Sequence, residues 1–149
     1  MNNFGLVVIG AHSGVWLSSL LDEHKDRNIL LVEPVPYNIA LLKENTTKYK
    51  NITIETSAVS EKNEIKKFYY VKHDAVKKLG KHWASGIGSF DKQHILNHKY
   101  KRFMVTDIDI EEIDVQYLTF SNLMKKYSVS SIDLLQIDVE GAEFQILNS

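Results

Sequence analysis

The chain has 149 residues, 44% hydrophobic and 25% charged, with a formal net charge of −1 and no cysteine. That size fits one domain able to bury roughly two-thirds of its accessible surface. The totals exclude a disulfide scaffold and thiolate metal sites. No apolar run reaches the ~18 residues of a membrane span, and the start lacks a secretory signal's basic-then-apolar pattern. The expected location is cytoplasmic, with no membrane partner.

Charge is unevenly placed. Residues 61–102 carry 11 Lys/Arg against four acids, together with four of the six histidines. Such a stretch suits an anionic partner or a solvated face. No recognisable binding module frames it, so nucleic acid is not the expected partner.

In chain order, Leu6–Ile9 is an apolar run of strand length that meets Gly10, then Ala11-His12-Ser13, then Gly14. A buried strand turning sharply into a helix is the reading, with Trp16, Leu17, Leu20 and Leu21 at helical spacing. Ile29–Val32 is a second buried strand ending at Glu33, and Pro34 and Pro36 break regular structure after it. A helix is expected from Tyr37 to about Lys48, with Ile39, Leu42 and Tyr49 on one face. Ile52–Glu55 is a third strand, leading into Ser57-Ala58-Val59-Ser60. Two right-handed crossovers of this kind make a parallel sheet.

Ile65–Val71 reads as an edge strand. From His73 to Lys101 no period is sustained, and residues 73–101 read as a loop or lid insertion within the single domain, in which Trp83–Phe90 is a flexible loop with hinge glycines Gly86 and Gly88, anchored by Trp83 and Phe90. Arg102–Ile108 and Asp114–Leu118 are candidate strands. Thr119 or Ser121 caps a helix bearing Phe120, Leu123, Met124 and Tyr127. Ile132–Ile137 is a last buried strand, followed by Asp138, Glu140 and Glu143.

Glu33 lies 23 residues after Gly10 at a strand end, where a carboxylate can accept from both hydroxyls of a ribose. Glycine turn and strand-end acid together indicate an adenosine-bearing ligand without choosing between NAD and S-adenosylmethionine. The third glycine of the GxGxxG fingerprint is absent, which weighs against nicotinamide. If strand order reverses beside the first strand, Asp138 emerges next to Gly10. Clustered Asp138, Glu140 and Glu143 then need a positive counterpart: a sulfonium, a metal ion or helix N–H groups. An acidic helix start explains Glu140 and Glu143 equally well. No metal is expected.

From about Val7 to Leu147 the chain resembles the FkbM family of S-adenosylmethionine-dependent methyltransferases, within the Rossmann-like class I superfamily. The resemblance rests on Asp133-Leu-Leu-Gln-Ile-Asp-Val-Glu-Gly-Ala-Glu143, on Val32-Glu33-Pro34 and on Ser57-Ala58-Val59-Ser60. It implies a doubly wound, mostly parallel α/β sheet. It implies that Gly10, Ala11, His12 and Gly14 cradle the methionyl and ribose portion, that Glu33 with Pro34 holds the ribose, and that Ser57, Ala58 and Val59 lie near the adenine. Asp138 would face the reacting end, with Asp138 or Glu140 as general base, and Ser85–Ser89 would close over the site. Departures from the family pattern are Val8 for an acid, His12 for Asn, Thr119-Phe-Ser-Asn122 for Thr-Leu-Asp-Asp, and Gln136 for Lys.

The superfamily sheet has seven strands, whereas this sequence ends after the fourth and its helix. A shortened product, a pared-down sheet, or an edge at Leu134–Ile137 covered by a second chain of a homo-oligomer are the expectations. The expected activity is O-methylation of a sugar, polysaccharide or natural-product hydroxyl, with an anionic glycan suited to the basic stretch. The alternatives are a catalytically silent cofactor-binding or assembly subunit and a nicotinamide-dependent oxidoreductase.

Overall fold

A computed structural model describes residues 1–79, 82–97, 99–100, 103–139 and 143–149. Its strands are β1 (Asn2–Ile9), β2 (Asn28–Val32), β3 (Ile52–Glu55), β4 (Ala58–Val59), β5 (Glu64–Val71), β6 (Gly88–Ser89), β7 (Lys99–Tyr100), β8 (Phe103–Met104), β9 (Ile110–Leu118) and β10 (Val129–Ile137). Its helices are α1 (Ser18–Glu23), α2 (Pro36–Asn45), α3 (His73–Leu79), α4 (Lys92–Leu96), α5 (Phe120–Lys126) and α6 (Glu143–Leu147). The chain divides into two compact units, residues 1–64 with 116–149, and residues 65–115.

The first unit is built on a sheet of order β10-β1-β2-β3. Every neighbouring pair in it is parallel. A parallel sheet is covered on both faces, so its strands read as continuous apolar runs, and Leu6–Ile9 and Ile29–Val32 are buried along their length. Alternation sorts them. Val7, Ile9, Leu30 and Val32 face a cluster completed by Leu123 of α5 and Ile146 of α6. Leu6, Val8, Ile29 and Leu31 face one completed by Leu17, Leu21 and Leu42. Phe4 joins Val7 and Ile9 on the first face because the register shifts between Phe4 and Leu6. Helices on both faces of a parallel sheet are the doubly wound arrangement that the sequence implies. Val8, where the family pattern has an acid, is fully buried in that second cluster.

Local differences have local causes. Val15–Leu17 is a 3-10 turn before α1, and its tighter winding leaves Trp16 exposed while Leu17 is buried. Pro36 opens α2 at its first turn instead of breaking the chain, since a helix's first N–H groups need no intrahelical partner. That helix ends at Asn45, short of Lys48, where the Thr46 hydroxyl donates to the Leu42 carbonyl at 2.7 Å. Thr119 caps α5, its side chain accepting from the Asn122 N–H.

The second unit has its own core of Val71, Ala75, Val76, Ala84, Ile87, Ile95, Val105 and Ile110. Where no period is sustained in the sequence, α3, a 3-10 turn at 82–86 and α4 are each too short to display one. Within 102–108 the described strand is only Phe103–Met104. A capping box on Thr106 and Asp109 then turns the chain, and β9 begins at Ile110 rather than Asp114. Phe90 is exposed with Lys66 Nζ 4.6 Å from its ring centre. Arg102 and the side chain of Trp83 lie outside the described residues. Part of the basic stretch is balanced by acids just beyond it in sequence. Lys67 pairs with Glu112 and Asp114, and Lys92 with Asp107.

Candidate functional site

Register builds the site. Ile9 of β1 pairs with Ile137 of β10 on one side and Val32 of β2 on the other, and Val32 pairs with Glu55 of β3. The next residues along these strands, Gly10, Asp138 and Glu33, therefore leave the sheet side by side at its carboxyl edge. Backbone hydrogen bonds continue the ladder there: Asp138 N–H to Ile9 O at 2.9 Å, Gly10 N–H to Val32 O at 2.9 Å, and Glu33 N–H to Glu55 O at 3.0 Å. Crevices at the carboxyl edge, beside a reversal of strand order, are where open α/β sheets bind ligands.

The two glycines of the turn answer first to the protein itself. Gly10 has φ 86°, and a Cβ there would stand 2.1 Å from the Asp138 carbonyl oxygen. Gly14 has φ 79°, and a Cβ there would stand 2.6 Å from Leu42 Cδ1. Ala11 between them is fully buried and packs with Leu6 and Val8. His12 also lies at positive φ, 51°, which a non-glycine residue rarely adopts.

Glu33 latches this turn. Its carboxylate is buried and accepts from the His12 N–H and the Val35 N–H, each at 2.9 Å, with Asn38 as a further side-chain partner. Burial pushes its pKa above the ordinary carboxyl value, against the opposing pull of the His12 ring and of the Val35 and His12 N–H groups. The His12 ring lies between two acids, Nδ1 at 3.8 Å from Glu33 and Nε2 at 3.7 Å from Asp138. The Asp138 side chain is 55% exposed, against 3% for Glu33. Gly10, His12, Glu33 and Asp138 thus form one cluster.

The remaining expected residues are distributed differently. Pro34 follows Glu33 and is half-buried. Ser57 is buried, its N–H donates to Glu55 at 2.9 Å, and its hydroxyl has no hydrogen-bond partner among the described residues. Ala58 and Val59 form β4 against Tyr117 and Leu118 of β9, and Val59 joins the core beside Val7 and Ile9. Glu140 lies outside the described residues.

Glu55, which ends β3, is a buried acid that the sequence did not single out. It accepts from Lys126 Nζ and from the Tyr127 hydroxyl, both at 2.6 Å. Burial opposes its ionisation, but Lys126, Tyr127 and the Ser57 N–H outweigh burial and hold the carboxyl at about 2. Burial and Glu55 together push the Tyr127 hydroxyl well above its usual value. The signal available was position: Glu55 ends β3 as Glu33 ends β2.

Among the described residues, no group of three or more His, Asp or Glu is arranged to hold a metal ion, and no helix is long and apolar enough to cross a membrane. No curated protein and no solved structure matches the chain. The family model described as the Methyltransferase FkbM domain matches residues 9–149, from the end of β1 through the turn, Glu33 and Asp138. Parallel sheet and near-complete match agree: the chain belongs to the FkbM methyltransferase family.

Proposed function

We propose that this methyltransferase binds S-adenosylmethionine at the carboxyl edge of β1, β2, β3 and β10 and methylates a hydroxyl of a sugar, polysaccharide or natural product. The observation that carries the reading is the single row in which Gly10, Glu33 and Asp138 leave the sheet, here in a chain matched by a methyltransferase family. The residues present fit the cofactor. Ser57 offers a buried hydroxyl in search of a partner, which is costly to leave unsatisfied. Glu33 has roughly four acceptor positions, of which His12, Val35 and Asn38 take three. Its last position is open to a ribose hydroxyl.

When bound, the sulfonium supplies the methyl group for in-line displacement. The chain's part is to position and to accept a proton. Holding the reactants in line is worth at most about 7–11 kcal/mol. Asp138, more than half exposed at the crevice, takes the acceptor hydroxyl's proton, a contribution of typically 10²–10⁴-fold. The sugar or natural-product acceptor rests on the family resemblance. The excess of Lys and Arg over acids in the sequence of residues 61–102 suits an anionic one.

Thermal unfolding with S-adenosylhomocysteine against NADH tests the proposal. Ligand at 100 times its dissociation constant adds about 2.7 kcal/mol of stability, a shift easily read in a small domain. A rise in Tm with S-adenosylhomocysteine alone is expected. A rise with NADH alone, or with neither, contradicts the reading.

A further inference from the structure

We propose that the His12 imidazole is a proton-operated gate: protonated, it bridges Glu33 and Asp138 and keeps the cofactor out, and neutral, it yields both carboxylates. The inference rests on the S-adenosylmethionine reading above and adds how that same crevice is regulated.

Geometry leads to it. The ring lies between the two strand-end acids, with one nitrogen 3.8 Å from the Glu33 carboxylate and the other 3.7 Å from Asp138. An imidazolium donates from both nitrogens, whereas a neutral ring donates from only one. At 3.7 and 3.8 Å the contacts are ion-pair rather than hydrogen-bond distances, so the bridge between the two carboxylates holds only while the ring carries its second proton. The stem of the ring is pinned, because the His12 N–H is bonded to Glu33 at 2.9 Å and the backbone is held at φ 51°. Strained backbone of this kind persists where surrounding contacts enforce it, and it collects at ligand clamps and switches. The side chain is 21% exposed, so water can deliver and remove the proton.

Among the described residues, the charged groups facing the ring are Glu33 from the end of β2 and Asp138 from the end of β10. From α2 come neutral amides only: Asn38 bonds Glu33, and Asn45 donates to the Ser13 carbonyl. The cofactor brings ribose hydroxyls and a cation of its own to the same two carboxylates. Binding then exchanges one cation for another and releases a proton, so affinity falls as the solution becomes more acid.

Calorimetric titration of the full chain with S-adenosylmethionine, which carries the sulfonium cation, over about pH 5.5–8.5, the range in which histidine titrates, is the test. Run in two buffers of different protonation enthalpy, it should show about one proton released per ligand at the acid end, and affinity rising there by up to about tenfold per pH unit. Asn tolerates left-handed backbone but does not titrate, so His12→Asn should flatten that slope whatever its absolute affinity. Binding that is independent of pH with no proton released, or an unchanged slope in His12→Asn, overturns the gate and leaves the cofactor reading standing. Absence of binding at every pH in wild type overturns the cofactor reading and the gate with it.

Discussion

Glu33 holds the glycine turn and stands ready for a ligand, and these two duties separate by experiment. Glu33→Ala orphans the N–H groups of His12 and Val35, and each buried donor left unpaired costs about 1–3 kcal/mol. Denaturant unfolding should show that loss without any ligand present. Ser57→Ala is the converse case. Its hydroxyl has no partner to lose, so the free protein should become roughly 1 kcal/mol more stable, while the Tm rise given by S-adenosylhomocysteine shrinks. A less stable Ser57→Ala protein would contradict the orphaned hydroxyl. Glu55 sets a pH dependence. Its carboxyl is depressed from 4.5 to about 2 in the folded chain, so the stability it contributes is complete above about 4.5 and fades as pH falls towards 2. Tyr127→Phe removes one of its donors, so the fall in Tm across that window should be shallower than in wild type. Gly10, Glu33 and Asp138 were legible in the sequence because each sits where an apolar run stops. The partners of Glu55 were not, because Lys126 and Tyr127 lie some seventy residues away at the end of another helix.

At the level of elements, the sheet's register does the positioning and the glycines guard it. Both turn glycines have positive φ, but their neighbours differ in compliance. A Cβ at Gly10 meets the Asp138 backbone, whereas one at Gly14 meets the end of the flexible Leu42 side chain. Gly10→Ala should therefore cost clearly more stability than Gly14→Ala. Equal losses in chemical denaturation would mean that the contact between β1 and β10 yields more easily than its geometry implies. The central strands β1 and β2 were legible because burial on both faces writes an unbroken apolar run, whereas β10, expected to be buried, lies at the edge of the sheet with Leu134 exposed. Pro36 misled because the same residue ends one element and begins another, with φ fixed near the helical value either way. The helices of residues 65–115 escaped because five to seven residues cannot show a 3.6-residue period.

For the molecule as a whole, the division into two cores matters most. Glu33, Ser57, Asp138 and the glycine turn all belong to the unit built on β10-β1-β2-β3, and Ile95 is a fully buried member of the other unit's core. Ile95→Ala, a change that costs about 2–5 kcal/mol in a packed core, should speed hydrogen exchange in residues 71–96. Amides of β1 and β2 should keep more of their protection. Uniform loss across both units would show that they unfold together. The overall charge of −1 concealed a further pattern, since acids at 107–114 offset lysines that looked unopposed in sequence. The central claim is that the ends of β1, β2, β3 and β10 deliver one cofactor pocket, and amide chemical-shift mapping with S-adenosylhomocysteine tests it most directly. The expected perturbations concentrate at Gly10–Gly14, Glu33–Val35, Ser57 and Asp138. Perturbations confined to the groove at the opposite end of the sheet, lined by Phe120, Met124, Ser128 and Val129, would contradict it.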